Sequence, residues 1–251
     1  MGEKQAIVLA GGRGRRLGPY TVVFPKPVVP IGTTPIVEIV LRQLAHYGFR
    51  RVHIALGHLS EIVRAVTGDG SRFGVQISYT DEPEPLGTMG PLKLVPNLSG
   101  EFLVMNADLL TDLDFDALWR FHQMHQQPAT VATFSKVTKL ELGVIETDGA
   151  GRVTRFDEKP ILQHTVSMGV YVFDDSVLCH IPAGHSFGFD DLMRILLERG
   201  EAVQTFPFSG RWLDIGIPAD YERAQEEFEH NRDVYLRRTD ALHEPPVGTI
   251  S

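Results

Sequence analysis

The chain is poor in cysteine, in basic residues and in long apolar runs, and each shortage narrows what it can be. A single cysteine, Cys179, among 251 residues excludes an internal disulfide and any thiolate-rich zinc site. No apolar stretch approaches the ~18 residues a membrane helix needs. The opening run Ala6–Ala10 is too short for a secretory leader and passes straight into glycines. Met1-Gly2 begins like a myristoylation site, but the sixth position is Ala6, where Ser or Thr is required. Lys and Arg number 24 against 32 Asp and Glu, a net charge of -8. That balance disfavours a broad nucleic-acid surface, which demands clustered cations. The expectation is a cytoplasmic protein acting on small molecules, with neither nucleic acid nor membrane as a partner.

Some catalytic chemistries are missing as well. The ten histidines form no His-x-x-x-His or His-Glu-x-x-His array, and no carboxylate near His122 and His125 completes a metal site. Both are expected to be surface or satisfied core residues. There is no Gly-x-Ser-x-Gly elbow and no evident base beside Cys179, so a protein nucleophile is not expected.

What is present is an ordinary globular composition, 43% hydrophobic and 22% charged. Ala6–Ala10 and Val52–Leu56 are continuous apolar runs, as expected of buried parallel strands. Glu101–Asn106 is a third, and Val75–Tyr79 alternates with the period of a strand. Between them, Ile36, Ile39, Val40, Leu44 and Tyr47 recur at helical spacing after Pro35, and Gly48 marks the stop. Helices are predicted over Ser60–Val66, Phe115–Gln126 and Asp190–Glu198, with a last one opening at Pro218. Strands are predicted over Ala129–Ser135 and Val166–Phe173, and Val144–Thr147 with Arg152–Phe156 flank a hairpin signal at Asp148-Gly149. Repeated strand–helix–strand crossovers specify an α/β protein: a Rossmann-like, mostly parallel mixed sheet flanked by helices. With no repeat or linker, residues 1–240 are expected to form one continuous domain, and 241–251 a loose tail.

The segment with most chemical content is Leu9-Ala10-Gly11-Gly12-Arg13-Gly14-Arg15-Arg16-Leu17-Gly18-Pro19-Tyr20-Thr21, followed by Pro25-Lys26-Pro27. Glycines directly after a buried strand let backbone N–H groups turn toward an anion without interference from a Cβ. Arg13, Arg15, Arg16 and Lys26 concentrate positive charge there. Gly-Gly-x-Gly by itself fits a tight turn with a solvated basic face equally well. A dinucleotide fingerprint fails at Leu17, where Gly or Ala is needed. A Walker A loop fails because Lys26 lies between two prolines.

The full string resembles the opening signature of the sugar-1-phosphate nucleotidyltransferases, Leu-Ala-Gly-Gly-x-Gly-x-Arg-Leu-x-Pro-x-Thr followed by Lys-Pro, and every fixed position is met. Further segments follow in family order. Glu82-Pro83-Glu84-Pro85-Leu86-Gly87-Thr88 is similar to the base-recognition loop, in a form nearest the GDP-mannose pyrophosphorylase (mannose-1-phosphate guanylyltransferase) branch. Glu82 or Glu84 would match guanine's paired N1–H and N2–H₂ donors with two carboxylate oxygens. Asn106-Ala107-Asp108 and Trp212-Leu213-Asp214-Ile215-Gly216 resemble the two metal-aspartate segments, and two carboxylates with phosphate oxygens suit a hard cation. Leu142-Gly143, Glu158-Lys159-Pro160 and Ser167-Met168-Gly169-Val170-Tyr171 resemble the sugar-phosphate segments, with Ser167 where the family has Asn. That departure puts the usual sugar in question.

The resemblance implies a GT-A-like nucleotidyltransferase fold, with a nucleotide-binding half over 1–110 and a sugar-phosphate half over 111–240. The implied reaction joins an NTP, GTP by the Glu82–Glu84 loop, to a sugar 1-phosphate and releases pyrophosphate. Leu9, Ala10, Gly11, Gly12, Gly14, Arg16, Glu82, Pro85, Gly87 and Asp108 would bind the nucleotide. Gly143, Glu158, Lys159 and Ser167 would bind the sugar phosphate. Arg16 would clamp the triphosphate, Lys26 steady the α-phosphate, and Asp108 and Asp214 hold Mg²⁺. Mannose is the expected sugar, with heptose, glucose or a pseudo-sugar open through Ser167. Two rival readings are a non-catalytic regulatory relative and transfer to another phosphate such as phosphocholine. The chain ends about where the catalytic domain of such proteins ends, and a homodimer or homotetramer is left open.

Overall fold

Residues 3–12, 14–18, 21 and 24–236 are described by the structure, a computed structural model, with the backbone alone for Arg15. Arg13, Pro19, Tyr20, the Arg15 side chain and the expected tail 241–251 lie outside the described residues. The elements run β1 Gln5–Ala10, β2 Pro30–Ile31, β3 Thr34–Pro35, α1 Ile36–His46, β4 Arg51–Leu56, α2 Ser60–Thr67, β5 Gln76–Asp81 and β6 Phe102–Asn106. They continue with β7 Leu109–Thr111, α3 Phe115–His125, β8 Ala129–Lys139, β9 Val144–Thr147, β10 Val153–Asp157 and β11 Ile161–Phe173. Last come α4 Phe189–Glu198, β12 Val203–Phe208, β13 Trp212–Asp214, α5 Pro218–His230 and α6 Arg232–Leu236.

Seven strands form the central sheet in the order β12-β8-β11-β6-β1-β4-β5. β1 pairs in parallel with β4 and β6, β4 with β5, and β12 with β8. β11 alone runs antiparallel to both of its neighbours. The mostly parallel mixed α/β sheet expected from the sequence is therefore the observed one. Side-chain alternation along each strand feeds two cores. Ala6, Val8 and Ala10 of β1 pack with Leu41 and Leu44 of α1, Val63 of α2 and Leu118 and Trp119 of α3. Ile7 points the other way, into a core with Leu92, Phe102, Phe173 and Leu192 and Leu196 of α4. His122 is a satisfied core residue: its Nδ1 meets Thr130 Oγ1 at 2.8 Å, and burial lowers its pKa.

Several elements went unread in the sequence, and each has a physical reason. β12 carries Pro207, which a strand tolerates because β12 lies at the sheet edge with no outer neighbour needing its N–H. The outer ends of β8 and β11 pair from Ile161↔Lys139 to Thr165↔Ser135 and are solvent-exposed, so they lack an apolar pattern. β2 and β3 form a two-residue ladder around Gly32-Thr33. β7 has only three residues, paired antiparallel with β13.

A third core ties these small pieces to the glycine-rich segment. Leu17, fully buried, packs with Ile31, Ile36, Leu110, Ile215, Tyr221, Ala224, Phe228 and Tyr235. Leu17 belongs to the short 3₁₀ turn Arg15–Leu17, so this core docks that turn on α5 and β7. Leu17→Ala is expected to destabilise the protein by about 2–5 kcal/mol, the range for emptying a buried leucine site. Denaturant unfolding measures it, and a loss below about 1 kcal/mol would mean the turn is not held by this packing.

Candidate active site

β1 and β6 lie side by side in parallel, so the loops leaving their carboxyl ends open at the same edge of the sheet, where parallel α/β sheets bind ligands. A cavity of about 290 Å³ lies there, lined by Leu9, Ala10, Gly11, Gly12, Lys26, Pro27, Glu82, Pro85, Gly87, Thr88, Pro91, Asn106, Ala107 and Asp108. Nine of the residues singled out from the sequence are among them. Pro27, Thr88, Pro91, Asn106 and Ala107 are lining residues to which the sequence reading gave no role.

Three motif positions shape the backbone of the site. Gly14 has φ +59°, and a Cβ there would stand 3.2 Å from Lys26 Cβ and 3.0 Å from Thr21 Cγ2. Thr21 Oγ1 donates to the Gly14 carbonyl at 2.7 Å. Gly14 and Thr21 thus fold the glycine-rich segment back on Lys26. Gly87, at φ +76°, would put a Cβ 2.7 Å from the Phe187 carbonyl. Leu86 O accepts from Phe187 N at 2.8 Å, and Met89 N donates to Phe187 O at 2.9 Å. The 82–91 loop is thereby fastened to the residues that start α4.

Glu82 and Glu84 separate clearly. Glu84 is exposed and does not line the cavity. Glu82 is partly buried, its Oε2 accepts from Leu86 N at 3.0 Å, and its carboxylate lies so close to Gly11 that any side chain at Gly11 would run into it. Burial raises the Glu82 pKa, against the hydrogen bond from Leu86, which lowers it.

The two aspartates, separated by a hundred residues in the chain, are brought together by the β7–β13 ladder. Asp214 pairs with Leu109, next to Asp108, and Ile215 N donates to Asp108 O at 3.1 Å. Trp212 secures β13 from the other side, donating Nε1–H to Met168 O at 3.0 Å and packing on Phe134. Lys26 Nζ is ion-paired with Asp108 Oδ2, while Asp108 Oδ1 is buried with no hydrogen-bond partner among the described residues. Asp214 has its pKa raised, first by desolvation and then by the charge of Asp108; Lys26 and Arg16 act in the opposite direction. Arg16 is exposed, and its Nη2 stands near Gly216 together with Asp214 Oδ1 and Asp220 Oδ2. Asp220 went unremarked in the sequence because an acidic residue in the first turn of a helix reads as a dipole partner.

The orphaned Asp108 oxygen and the Asp214 carboxylate are hard donors of the kind a divalent cation such as Mg²⁺ takes. No group of three or more metal-capable side chains occurs among the described residues. Any such ion would therefore draw its remaining ligands from water or substrate oxygens, and the residues fit it on those terms.

The sugar-side residues form a separate group. Gly143 and Glu158 are neighbours: a Cβ on Gly143 would stand 3.2 Å from Glu158 Oε2 and closer still to the Phe156 ring. Glu158 and Lys159 are exposed at the end of the β9–β10 hairpin, with Lys159 at φ +47°. Ser167 Oγ is engaged within β11, donating to Tyr171 Oη at 3.2 Å and accepting from Gly169 N at 3.3 Å. No hydrogen bond or ion pair among the described residues links these groups to Lys26, Asp108 or Asp214.

A family model described as nucleotidyl transferase matches residues 5–231. The chain is 33% identical over 225 residues to mannose-1-phosphate guanylyltransferase catalytic subunit beta of Danio rerio, covering 86% of this chain and 62% of that one. It is 32% identical over 240 residues to UTP–glucose-1-phosphate uridylyltransferase of Synechocystis, covering 88% and 62%. The matched part is thus about three-fifths the length of these relatives. A Bacillus anthracis protein assigned as a glucose-1-phosphate thymidylyltransferase, solved with sucrose, superposes at a TM-score of 0.72. It is 24% identical and covers 89% of this chain and 94% of its own. That likeness shows the GT-A-like fold.

A carboxyl group whose folded pKa is raised binds more protons folded than unfolded, so its stabilising contribution is lost as pH climbs from the usual value to the raised one. Asp214 is in that position. Asp214→Asn is therefore expected to melt above the wild type at pH 7 without added metal. The difference should shrink below about pH 4, the ordinary aspartate range. Equal melting midpoints at pH 7 would show that Asp214 is not under this electrostatic load.

Proposed function

The chain belongs to the nucleotidyl transferase family, and we propose that it joins a nucleoside triphosphate to a sugar 1-phosphate, releasing pyrophosphate. The observation that carries the proposal is the adjacency of Asp108 and Asp214 across the β7–β13 ladder, with Lys26 on Asp108 at the wall of the cavity. The attacking group is the oxygen of a sugar phosphate, which is already anionic. No strong protein base is then required, and catalysis reduces to alignment and charge stabilisation at the α-phosphorus.

The residues divide that work. The backbone of Leu9–Gly12 and Gly14 cradles the triphosphate, and Arg16 supplies a guanidinium fork whose geometry fits phosphate oxygens. Lys26, a compact charge held beside Asp108, meets the α-phosphate as negative charge moves onto it. Asp108 and Asp214 would hold Mg²⁺, which when bound neutralises phosphate charge. Glu158 orients sugar hydroxyls and Lys159 the incoming phosphate.

For the base we favour guanine. Glu82 borders the cavity and Glu84 does not, and a carboxylate suits two adjacent donors. The relatives nevertheless include both guanylyl- and uridylyltransferases by name, so the test is a matrix of four NTPs against sugar 1-phosphates, read as pyrophosphate release. Mannose 1-phosphate is the expected acceptor. GTP is expected to give the highest kcat/KM, and a preference for UTP or dTTP would reject the guanine reading. No release with any pair would reject the transferase reading in favour of a non-catalytic one.

Lys26→Ala is expected to lower kcat by about 10²–10³, the scale for losing one preorganised electrostatic contact. An unchanged rate would remove Lys26 from the chemistry. Asp108→Asn is expected to abolish the Mg²⁺-dependent rate, and an active variant would dismiss the metal assignment.

A further inference from the structure

Three charged groups from three parts of the chain meet over Gly216. The position a Cβ would take on Gly216 is 3.8 Å from Arg16 Nη2, 3.9 Å from Asp214 Oδ1 and 3.9 Å from Asp220 Oδ2, with nothing nearer. Arg16 comes from the 3₁₀ turn after β1, Asp214 from the end of β13, and Asp220 from the first turn of α5. The convergence follows from the third core: Leu17, beside Arg16, packs with Ile215 and Tyr221, which flank Gly216 and Asp220 in sequence. The main chain thus brings the arginine and both acids to one spot before any ligand arrives.

Arg16 makes no ion pair within 4 Å to another described residue, and Asp220 has only a 3.9 Å contact from Arg223, to Oδ1. Asp220 Oδ2 and Arg16 Nη2 face the same point over Gly216 but stand more than 4 Å from each other, so any hold on the guanidinium is exerted across a short gap. In the reading above Asp214 is given over to a cation, so the carboxylate free to act on the guanidinium is that of Asp220. An exposed arginine side chain samples many rotamers, and a fixed carboxylate on one side restricts them.

We propose that Asp220 is a positioning residue that holds the Arg16 guanidinium over Gly216, ready for the triphosphate. This deepens the proposed function and rests on Arg16 meeting the nucleotide. Asp220 itself touches no substrate. Its effect falls on nucleotide affinity and not on the acceptor.

The test is a double-mutant cycle on the full chain, with the NTP dissociation constant and both KM values measured for wild type, Asp220→Asn, Asp220→Glu, Arg16→Ala and Arg16→Ala/Asp220→Asn. Asp220→Asn is expected to weaken NTP binding by ~10-fold, the size of a coupled charged pair. The KM for the sugar phosphate and the melting midpoint stay at wild-type values. Asp220→Glu recovers most of the affinity, and on the Arg16→Ala background Asp220→Asn costs less than ~2-fold. Undiminished NTP affinity in Asp220→Asn, alongside impaired Arg16→Ala, overturns the positioning role alone. An equal loss on both backgrounds, or an equal rise in both KM values, also overturns it and assigns Asp220 a merely structural role. Arg16→Ala that binds NTP like the wild type overturns the Arg16 assignment and this proposal together.

Discussion

Everything at the candidate site depends on holding two like-charged side chains next to each other at a sheet edge. The device is small: three residues of β13 against three of β7, plus one hydrogen bond from Ile215 to the Asp108 carbonyl. Backbone hydrogen bonds are worth about 0.5–1.5 kcal/mol net apiece. Two unit charges ~5 Å apart at an effective dielectric of ~20 repel by about 3 kcal/mol. The two are of the same order, so a ladder of that size has little margin by itself. Lys26 supplies the first compensation, pairing with one oxygen of Asp108. The second is hydrophobic, since Leu110 and Ile215, the neighbours of the ladder's acidic end, are fully buried against Leu17 and Tyr221. What is left uncompensated appears in the raised pKa of Asp214, caused first by its desolvation and then by the charge of Asp108, as expected where stability is given up for a charged site.

This dependence explains which parts were legible in the sequence. Strands at the centre of the sheet, β1, β4 and β6, are buried on both faces and show it as unbroken apolar runs. β7 and β13 are three residues each and have no period to read, although their pairing places the aspartates. β12 breaks the usual rule with Pro207, permitted only because nothing pairs beyond it. The chemical residues were more legible than the structure that carries them. Lys26, Glu82 and Asp108 were named from motif and charge, and they line one cavity. Asp220 was not, since it meets Arg16 and Asp214 only over Gly216, and nothing in the local pattern announces a residue two hundred positions away.

Residues of function and residues of form share the same motifs here, and the packing separates them. Gly14, Thr21 and Gly87 all belong to the strings that gave the resemblance. Gly14 and Thr21 secure the backbone under Lys26, and Gly87 lets the 82–91 loop lie against Phe187. Whatever else they do, these residues place others. A substitution at Gly87 would disturb the Glu82 end of the cavity through the loop, with no contact to a ligand needed.

The two halves of the site differ in how far they are organised without ligands. Around the cavity, Lys26, Glu82 and Asp108 each have a defined partner, and those partners are supplied by the sheet and its loops. In the group proposed to meet the sugar phosphate, Glu158 and Lys159 stand exposed on a hairpin joined to the sheet through the outer ends of β8 and β11. In the proposed function, contacts to the acceptor would have to fix these exposed side chains, at a cost in conformational entropy that those contacts must offset. Ser167 fits that division. Its hydroxyl is spent on Tyr171 and Gly169 within β11, so in the proposed function selectivity for the acceptor would rest on Gly143, Glu158 and the hairpin around them.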